Sequence, residues 1–188
     1  ADGATARFLA LGPISGDWGG GLGLGQEALW YAARDVDGRG PHTALTTAIS
    51  THFGVDVSGL ITQFHLGERS LSELAELAPA VFAVAVAGDE VAGSLVDRQA
   101  KEIVDLARAA LTRLELTHSA VPIVLGGGIL RAGDARLLDG IRTGLAEVAP
   151  TVRLVHVTKP PILGAALLTL AHAGADTETL ARAQTALL

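Results

Sequence analysis

Hydrophobic periodicity divides the chain into helical and extended segments. The clearest helix is predicted over 91–114, where apolar residues recur at helical spacing in one stripe: Val91, Leu95, Ile103, Leu106, Ala110 and Leu114. The other side of this helix carries opposite charges four residues apart, so we expect that side to be solvated. Shorter helices are predicted over 26–36, 44–53, 56–64 and 71–86. A capping-box pattern from Ser70 and Glu73 opens the last of them.

The last third of the chain alternates strand and helix. A short apolar run predicts a strand over 121–125 that is buried on both faces, and a second strand is predicted over 152–157. Helices are predicted over 134–148, 162–171 and 177–187, and Pro160 and Pro161 lead into the second of these. Strand–helix–strand order implies parallel pairing through right-handed crossovers. We therefore expect a helix-rich α/β fold with parallel strands near 121–126 and 152–157, and a further short strand over 5–11.

Composition and charge exclude several classes of protein. The chain has 188 residues, 49% of them apolar, and a formal net charge of −6. A chain of this length and apolar content can build the core of one domain, which excludes intrinsic disorder. Because Lys and Arg form no cluster and no apolar run reaches about 20 residues, we expect no nucleic-acid partner and no membrane span. A cytoplasmic location is a separate expectation. The absence of Cys excludes disulfides, zinc–thiolate sites and a thiol nucleophile.

The densest glycine cluster, over 12–25, first suggests a phosphate-binding loop. It lacks the Gly-Lys-Ser/Thr ending of a P-loop, so that class of site is excluded. The stretch from Gly23 to Ala28 matches the G-x-G-x-x-A dinucleotide fingerprint. However, the candidate strand ends at residue 11, too far upstream, and Asp35 follows too soon to bind a ribose. We favour the alternative in which these glycines allow close packing of a helix.

Asp17 and Trp18 form the most specific polar–aromatic pair in that cluster. A carboxylate beside an indole suits a polyhydroxylated ligand, because the acid accepts hydrogen bonds from hydroxyl groups while the ring packs on C–H faces. The competing interpretation has Asp17 binding amides of its own loop and Trp18 filling the core.

A second candidate site follows the 121–125 strand at Gly126, Gly127 and Gly128. The carboxyl edge of an open α/β sheet is where ligands usually bind, and glycines there allow a ligand to approach the backbone. An ordinary tight turn is the alternative. The six His residues form neither an H-E-x-x-H motif nor an i,i+4 pair, so no metal site is predicted.

Three segments in this order resemble one family. Residues 11–21 and 24–29 resemble the G-D-E-G-S-G … I-G-x-x-A-L segment of N-acetylglucosamine kinases, residues 121–129 look like their adenosine motif, and residues 160–166 are similar to their P-P-x-x-G-A segment. The order also fits the BadF/BadG/BcrA/BcrD ATPase family, within the sugar kinase/Hsp70/actin superfamily. The resemblance covers essentially the whole chain.

The resemblance implies that residues 1–188 are the C-terminal, ribonuclease H-like lobe of a two-lobed kinase that uses ATP and Mg²⁺. It places Gly16, Asp17 and Trp18 at the sugar, and Gly126, Gly127 and Gly128 against adenosine. It also places Gly164 and Ala165 in an interdomain helix, where small side chains permit sliding during closure. The expected partners are ATP, a small sugar, the protein's own N-terminal lobe and a second copy in a homodimer.

Departures from the family pattern define the alternatives. Trp18 replaces the usual Glu and Leu11 replaces a frequent Trp, so the sugar is left open between N-acetylglucosamine and a related amino sugar. The family's phosphate motifs and its catalytic base do not occur here and would lie upstream of Ala1, so no catalytic residue is assigned and the isolated chain is expected to be inactive. The alternatives are a non-catalytic nucleotide- or sugar-binding module and an activator ATPase of a radical dehydratase. The lack of Cys disfavours the activator.

Overall fold

The computed structural model describes residues 3–157, 159 and 161–186, which form nine α-helices and one small parallel sheet. The described helices are α1 (Gly20–Val36), α2 (Leu45–Phe53), α3 (Val57–His65), α4 (Ala78–Val86), α5 (Glu90–Arg113), α6 (Gly128–Arg131), α7 (Ala135–Val148), α8 (Pro161–His172) and α9 (Thr177–Ala186). The strands are β1 (Pro122–Leu125) and β2 (Arg153–His156), and two 3₁₀ helices span Gly12–Ser15 and Leu71–Leu77.

Helix α1 runs through the centre of the core. Its residues Leu24, Ala28 and Ala32 follow one another at intervals of four and are fully buried, so they form one face. That face packs against the Leu71–Leu77 segment, α2 and α4. Burying a stripe of this kind is the main source of stability for a helix within a protein.

The predicted helices are confirmed, with two differences. Helix α1 begins at Gly20 and not near residue 26, because packing against Leu71–Leu77 outweighs the low helix propensity of its first glycines. The segment predicted as one helix over 71–86 is a 3₁₀ helix followed by α4. Pro79 lies in the first turn of α4, where its missing N–H is tolerated and where it cannot continue the preceding helix. The capping box between Ser70 and Glu73 is present.

The two later strands pair in parallel, as predicted, with Ile123 opposite Leu154. The prediction that the first of them is buried on both faces is wrong: Leu125 is buried, but Val124 is 63% exposed. Helices cover one face of β1 in the described part of the chain. The strand predicted over 5–11 is also wrong for the described residues, which form no ladder there. A strand requires a neighbour, and none of the described strands pairs with this segment.

Helix α5 buries two sides and not the single stripe that was predicted. Val91 and Leu95 are buried as expected, but Leu106 is 41% exposed. Helix α7 packs against a second side through close contacts of Gly140 with Ala100 and of Gly144 with Val104. Two of the predicted charge pairs are present, Arg98–Glu102 and Lys101–Asp105, but Asp97 pairs with Arg136 and not with Lys101.

Two predictions fall partly beyond the described residues. The helix expected over 177–187 is seen as Thr177–Ala186, and Leu187 lies outside the described residues. Pro160, which was expected to lead into α8, also lies outside them. Among the described residues, no single helix is long and apolar enough to cross a membrane. Two consecutive helical segments, Leu71–Val86 and Glu90–Arg113, are together long and apolar enough for a membrane span, but the chain bends by 116° between them.

Candidate functional site

The loop that leads into α1 is built from glycines in conformations that other residues rarely adopt. Gly16 ends the Gly12–Ser15 helix with a φ of 74°, and Gly19 has a φ of 121°. Asp17 and Trp18 lie between them. The Asp17 amide donates a hydrogen bond to the carbonyl of Gly12 at 3.2 Å, which holds the turn closed.

Asp17 lines a cavity of about 350 Å³. We call it the Asp17 cavity; its other polar side chains come from Gln26, Gln99 and Glu102. Among the described residues, no hydrogen bond or ion pair engages the Asp17 carboxylate, so the interpretation in which it binds its own loop amides has no support. A half-buried carboxylate without a protein partner has its acceptor capacity free for a ligand. Asp17 also borders a neighbouring cavity beside Arg7 and Arg113.

Trp18 is held by protein contacts on two sides. Its Nε1 donates a hydrogen bond to Oε1 of Glu27 at 3.2 Å, and the guanidinium of Arg98 lies 4.0 Å from the ring centroid. Arg98 also forms an ion pair with Glu27 at 3.2 Å. The ring packs against the core and also lines the Asp17 cavity. Trp18 therefore combines the two interpretations, since it is a packed residue with one part in the cavity wall.

The three glycines after β1 line a larger cavity of about 660 Å³, which we call the triple-glycine cavity. A Cβ atom built on Gly126, Gly127 or Gly128 would meet nothing within 4 Å, so backbone and not side chains borders the space. Phe82, Ile103 and Ile129 supply apolar walls. A volume in this range and a mainly apolar lining are typical of ligand pockets.

The two cavities adjoin. Gly20, Gln99 and Ile103 line both of them, so the wall between the cavities consists of the first residue of α1 and two residues of α5. The structure thus brings together the two segments that the sequence singled out separately, 16–18 and 126–128. The arrangement can hold a polar ligand at Asp17 next to a larger ligand at the glycines.

Gly164 and Ala165 lie in α8. Gly164 lines a cavity of about 400 Å³ together with Gly126 and Gly127, on the side of those glycines that faces α8. Ala165 is exposed, and a Cβ atom on Gly164 would meet nothing within 4 Å. The role of these two residues in an interdomain helix remains a prediction.

The described residues supply no metal-ligand cluster, because no three His, Cys, Asp or Glu side chains are grouped so that they could hold an ion. Two acidic residues outside the Asp17 cavity have protein partners. Asp97, on α5, accepts two hydrogen bonds from Arg136 at 2.7 Å, and this pairing lowers its pKa. Asp134 caps α7 by accepting from the Leu137 amide at 2.8 Å.

Sequence reasoning missed the α5 contribution to the site. Gln99 lines both cavities and Glu102 lines one, yet both lie in a helix whose charges were interpreted as a solvated face. A signal was present: the apolar stripe of α5 skips from Leu95 to Ile103, and Gln99 occupies the missing position. A buried polar residue within an apolar stripe needs a polar partner.

Two adjoining cavities, one bordered by glycine backbone and one by a carboxylate, form a composite cleft in this α/β protein. The model of the BadF/BadG/BcrA/BcrD ATPase family matches residues 1–169, and the chain belongs to that family. That family is described as one of ATPases.

Curated relatives agree with this assignment. The chain is 28% identical over 173 residues to the N-acetyl-D-glucosamine kinase of Dictyostelium discoideum, covering 90% of this chain and 54% of that protein. It is 25% identical over 168 residues to the N-acetylmuramic acid/N-acetylglucosamine kinase of Clostridium acetobutylicum, covering 89% of this chain and 55% of that protein. The chain thus spans about half the length of the curated relatives it matches.

Proposed function

We propose that residues 1–188 form the nucleotide- and sugar-contacting C-terminal lobe of an ATP-dependent sugar kinase with a ribonuclease H-like fold. The sugar is N-acetylglucosamine or a related amino sugar, since both relatives are kinases of such sugars. The remaining lobe and the catalytic base come from outside these residues, which fits the half-length match to the relatives.

One observation carries the proposal: the Asp17 cavity and the triple-glycine cavity share a wall. Phosphoryl transfer depends mainly on positioning, so donor and acceptor must bind next to each other. A sugar in the Asp17 cavity and a nucleotide in the triple-glycine cavity satisfy that requirement.

Each side of the cleft has a defined task in this proposal. ATP supplies the phosphoryl group when it is bound. The glycines at 126–128 let the nucleotide lie against the backbone, with Phe82 and Ile129 excluding water. Asp17 accepts hydrogen bonds from sugar hydroxyls and orients the acceptor, helped by Gln26 and Glu102. Mg²⁺ accompanies ATP in the proposal, and no step is assigned to it because the described residues offer no ligand cluster.

The test compares the complete gene product with the isolated 188-residue chain. With ATP, Mg²⁺ and N-acetylglucosamine, the complete product is expected to form a sugar phosphate, and the isolated chain is expected to form none. Absence of turnover on every hexose and amino sugar would overturn the kinase proposal. If ligand binding persisted without turnover, a non-catalytic binding module would replace it. Clear turnover by the isolated chain would overturn the assignment of this chain as an incomplete lobe.

A further inference from the structure

Gln99 is a polar side chain enclosed by apolar neighbours. It is only 5% exposed, and its neighbours along α5, Leu95, Val96 and Ala100, are buried as well. Enclosing an amide costs free energy unless hydrogen bonds compensate for the lost water. Both ends of this carboxamide therefore require partners.

The carboxamide oxygen of Gln99 has a hydrogen-bond partner within the protein. Gln99 Oε1 accepts a hydrogen bond from the Gly20 amide at 2.9 Å. The preceding residue, Gly19, lies so close that a Cβ atom there would be 2.6 Å from the same oxygen. Since an amide N–H requires an acceptor, the orientation of the carboxamide is determined, and its Nε2 points away from Gly20.

The nitrogen end has no protein partner in the part of the chain that the structure describes. No fully buried side-chain nitrogen or oxygen atom there lacks a partner, so Nε2, which has none, retains some exposed surface. Gln99 lines the triple-glycine cavity and the Asp17 cavity. Its donor is therefore available to a ligand where the two cavities meet.

We propose that Gln99 contacts the nucleotide: Nε2 donates a hydrogen bond to a phosphate oxygen, while Oε1 holds Gly20 and thereby the loop that carries Asp17. This inference rests on the proposed function. A phosphate oxygen is the appropriate acceptor, because the part of a nucleotide nearest the sugar is its phosphate chain. Gln99 then links nucleotide binding to the position of the Asp17 loop.

The test measures affinities for ADP and adenosine by calorimetry on the complete gene product. Replacing Gln99→Glu keeps an acceptor for Gly20 but removes the donor and adds a negative charge. The ratio of ADP affinity to adenosine affinity is expected to fall about tenfold or more, since a hydrogen bond to a charged group is lost. Gln99→Ala is the second variant, and the same fall is expected. A purely structural role would weaken both ligands equally and leave the ratio unchanged.

Gln184→Glu is the matched control, because Gln184 is exposed on α9 and lines neither cavity. This variant should keep the wild-type ratio. The inference is overturned if every Gln99 variant that folds also keeps the wild-type ratio while wild type binds ADP and N-acetylglucosamine. If wild type binds neither ligand, the proposed function itself fails, and the role of Gln99 fails with it.

Discussion

Gly25 of α1 lies directly against the backbone carbonyl of Leu74: a Cβ atom on Gly25 would be 1.8 Å from that oxygen. No side-chain rotation can relieve an overlap with backbone. Gly25→Ala would therefore push α1 away from the Leu71–Leu77 segment, the closest neighbour of α1 in the core. We expect the free energy of unfolding to fall by about 3 kcal/mol, measured by urea denaturation.

Gly23 provides the control for this prediction. It lies in the same helix two residues earlier, and a Cβ atom there would meet nothing within 4 Å. Gly23→Ala is expected to raise the free energy of unfolding by about 0.5–1 kcal/mol, because alanine favours the helix and restricts the unfolded chain. Equal effects of the two variants would show that close approach to Leu74 does not constrain residue 25.

These glycines also show where sequence reasoning succeeded. The close helix packing that was favoured for the G-x-G-x-x-A segment is seen at Gly25, and the local signals at Ser70 and Glu73 placed a helix start. The strand expected over 5–11 failed because pairing depends on a partner that local pattern cannot supply. Asp17 and the 126–128 glycines were predicted separately. Their adjacency depends on how α1, α5 and β1 pack, and a single sequence does not encode that in any local motif.

Asp89 links α5 to the start of α2 and makes stability depend on pH. Its carboxylate accepts hydrogen bonds from the amides of Ala92 at 2.8 Å and Ala44 at 2.7 Å, and from the Thr43 hydroxyl. Burial raises the pKa of Asp89, but these hydrogen bonds outweigh it, so the pKa lies below its ordinary value of 3.8. The ionised form is the one that stabilises the fold.

The lowered pKa of Asp89 determines how the free energy of unfolding changes with pH. A lowered folded-state pKa contributes stability that is present above pH 3.8 and is lost as the pH falls through the folded-state value. Asp89→Asn should cost about 1–2 kcal/mol at pH 7, with wild type and variant converging in acid. Urea denaturation of both proteins, at pH 7 and at a pH below 3.8, checks this prediction. Asp56→Asn is the control, because Asp56 caps α3 through the Gly59 amide alone and should cost less. A difference for Asp89→Asn that stays constant with pH would refute the argument.

Substitution of Asp17 is expected to affect ligand binding and not stability. Since no described residue forms a hydrogen bond or ion pair with its carboxylate, Asp17→Asn should change the free energy of unfolding by less than about 0.5 kcal/mol. Because the substituted side chain is not a charged acceptor, the variant should bind N-acetylglucosamine more weakly, by about tenfold or more. Calorimetry with the sugar and thermal denaturation give the two readouts. A large loss of stability with unchanged sugar affinity would identify Asp17 as structural.

Trp18 should report on the occupied Asp17 cavity through its fluorescence. The indole lies in the cavity wall, with Arg98 stacked on its face and Glu27 bound to Nε1. A sugar entering the cavity changes the polarity around this ring. Trp30, the other tryptophan of these 188 residues, is 51% exposed on α1 and is absent from the cavity wall.

Two variants separate these emitters. In Trp30→Phe, N-acetylglucosamine is expected to change the emission as it does in wild type, because Trp18 remains. In Trp18→Phe the change should disappear, while thermal denaturation shows only a small loss of stability, about 1 kcal/mol, from the missing Glu27 hydrogen bond. If the sugar-induced change followed Trp30 instead, the ligand would bind away from the Asp17 cavity.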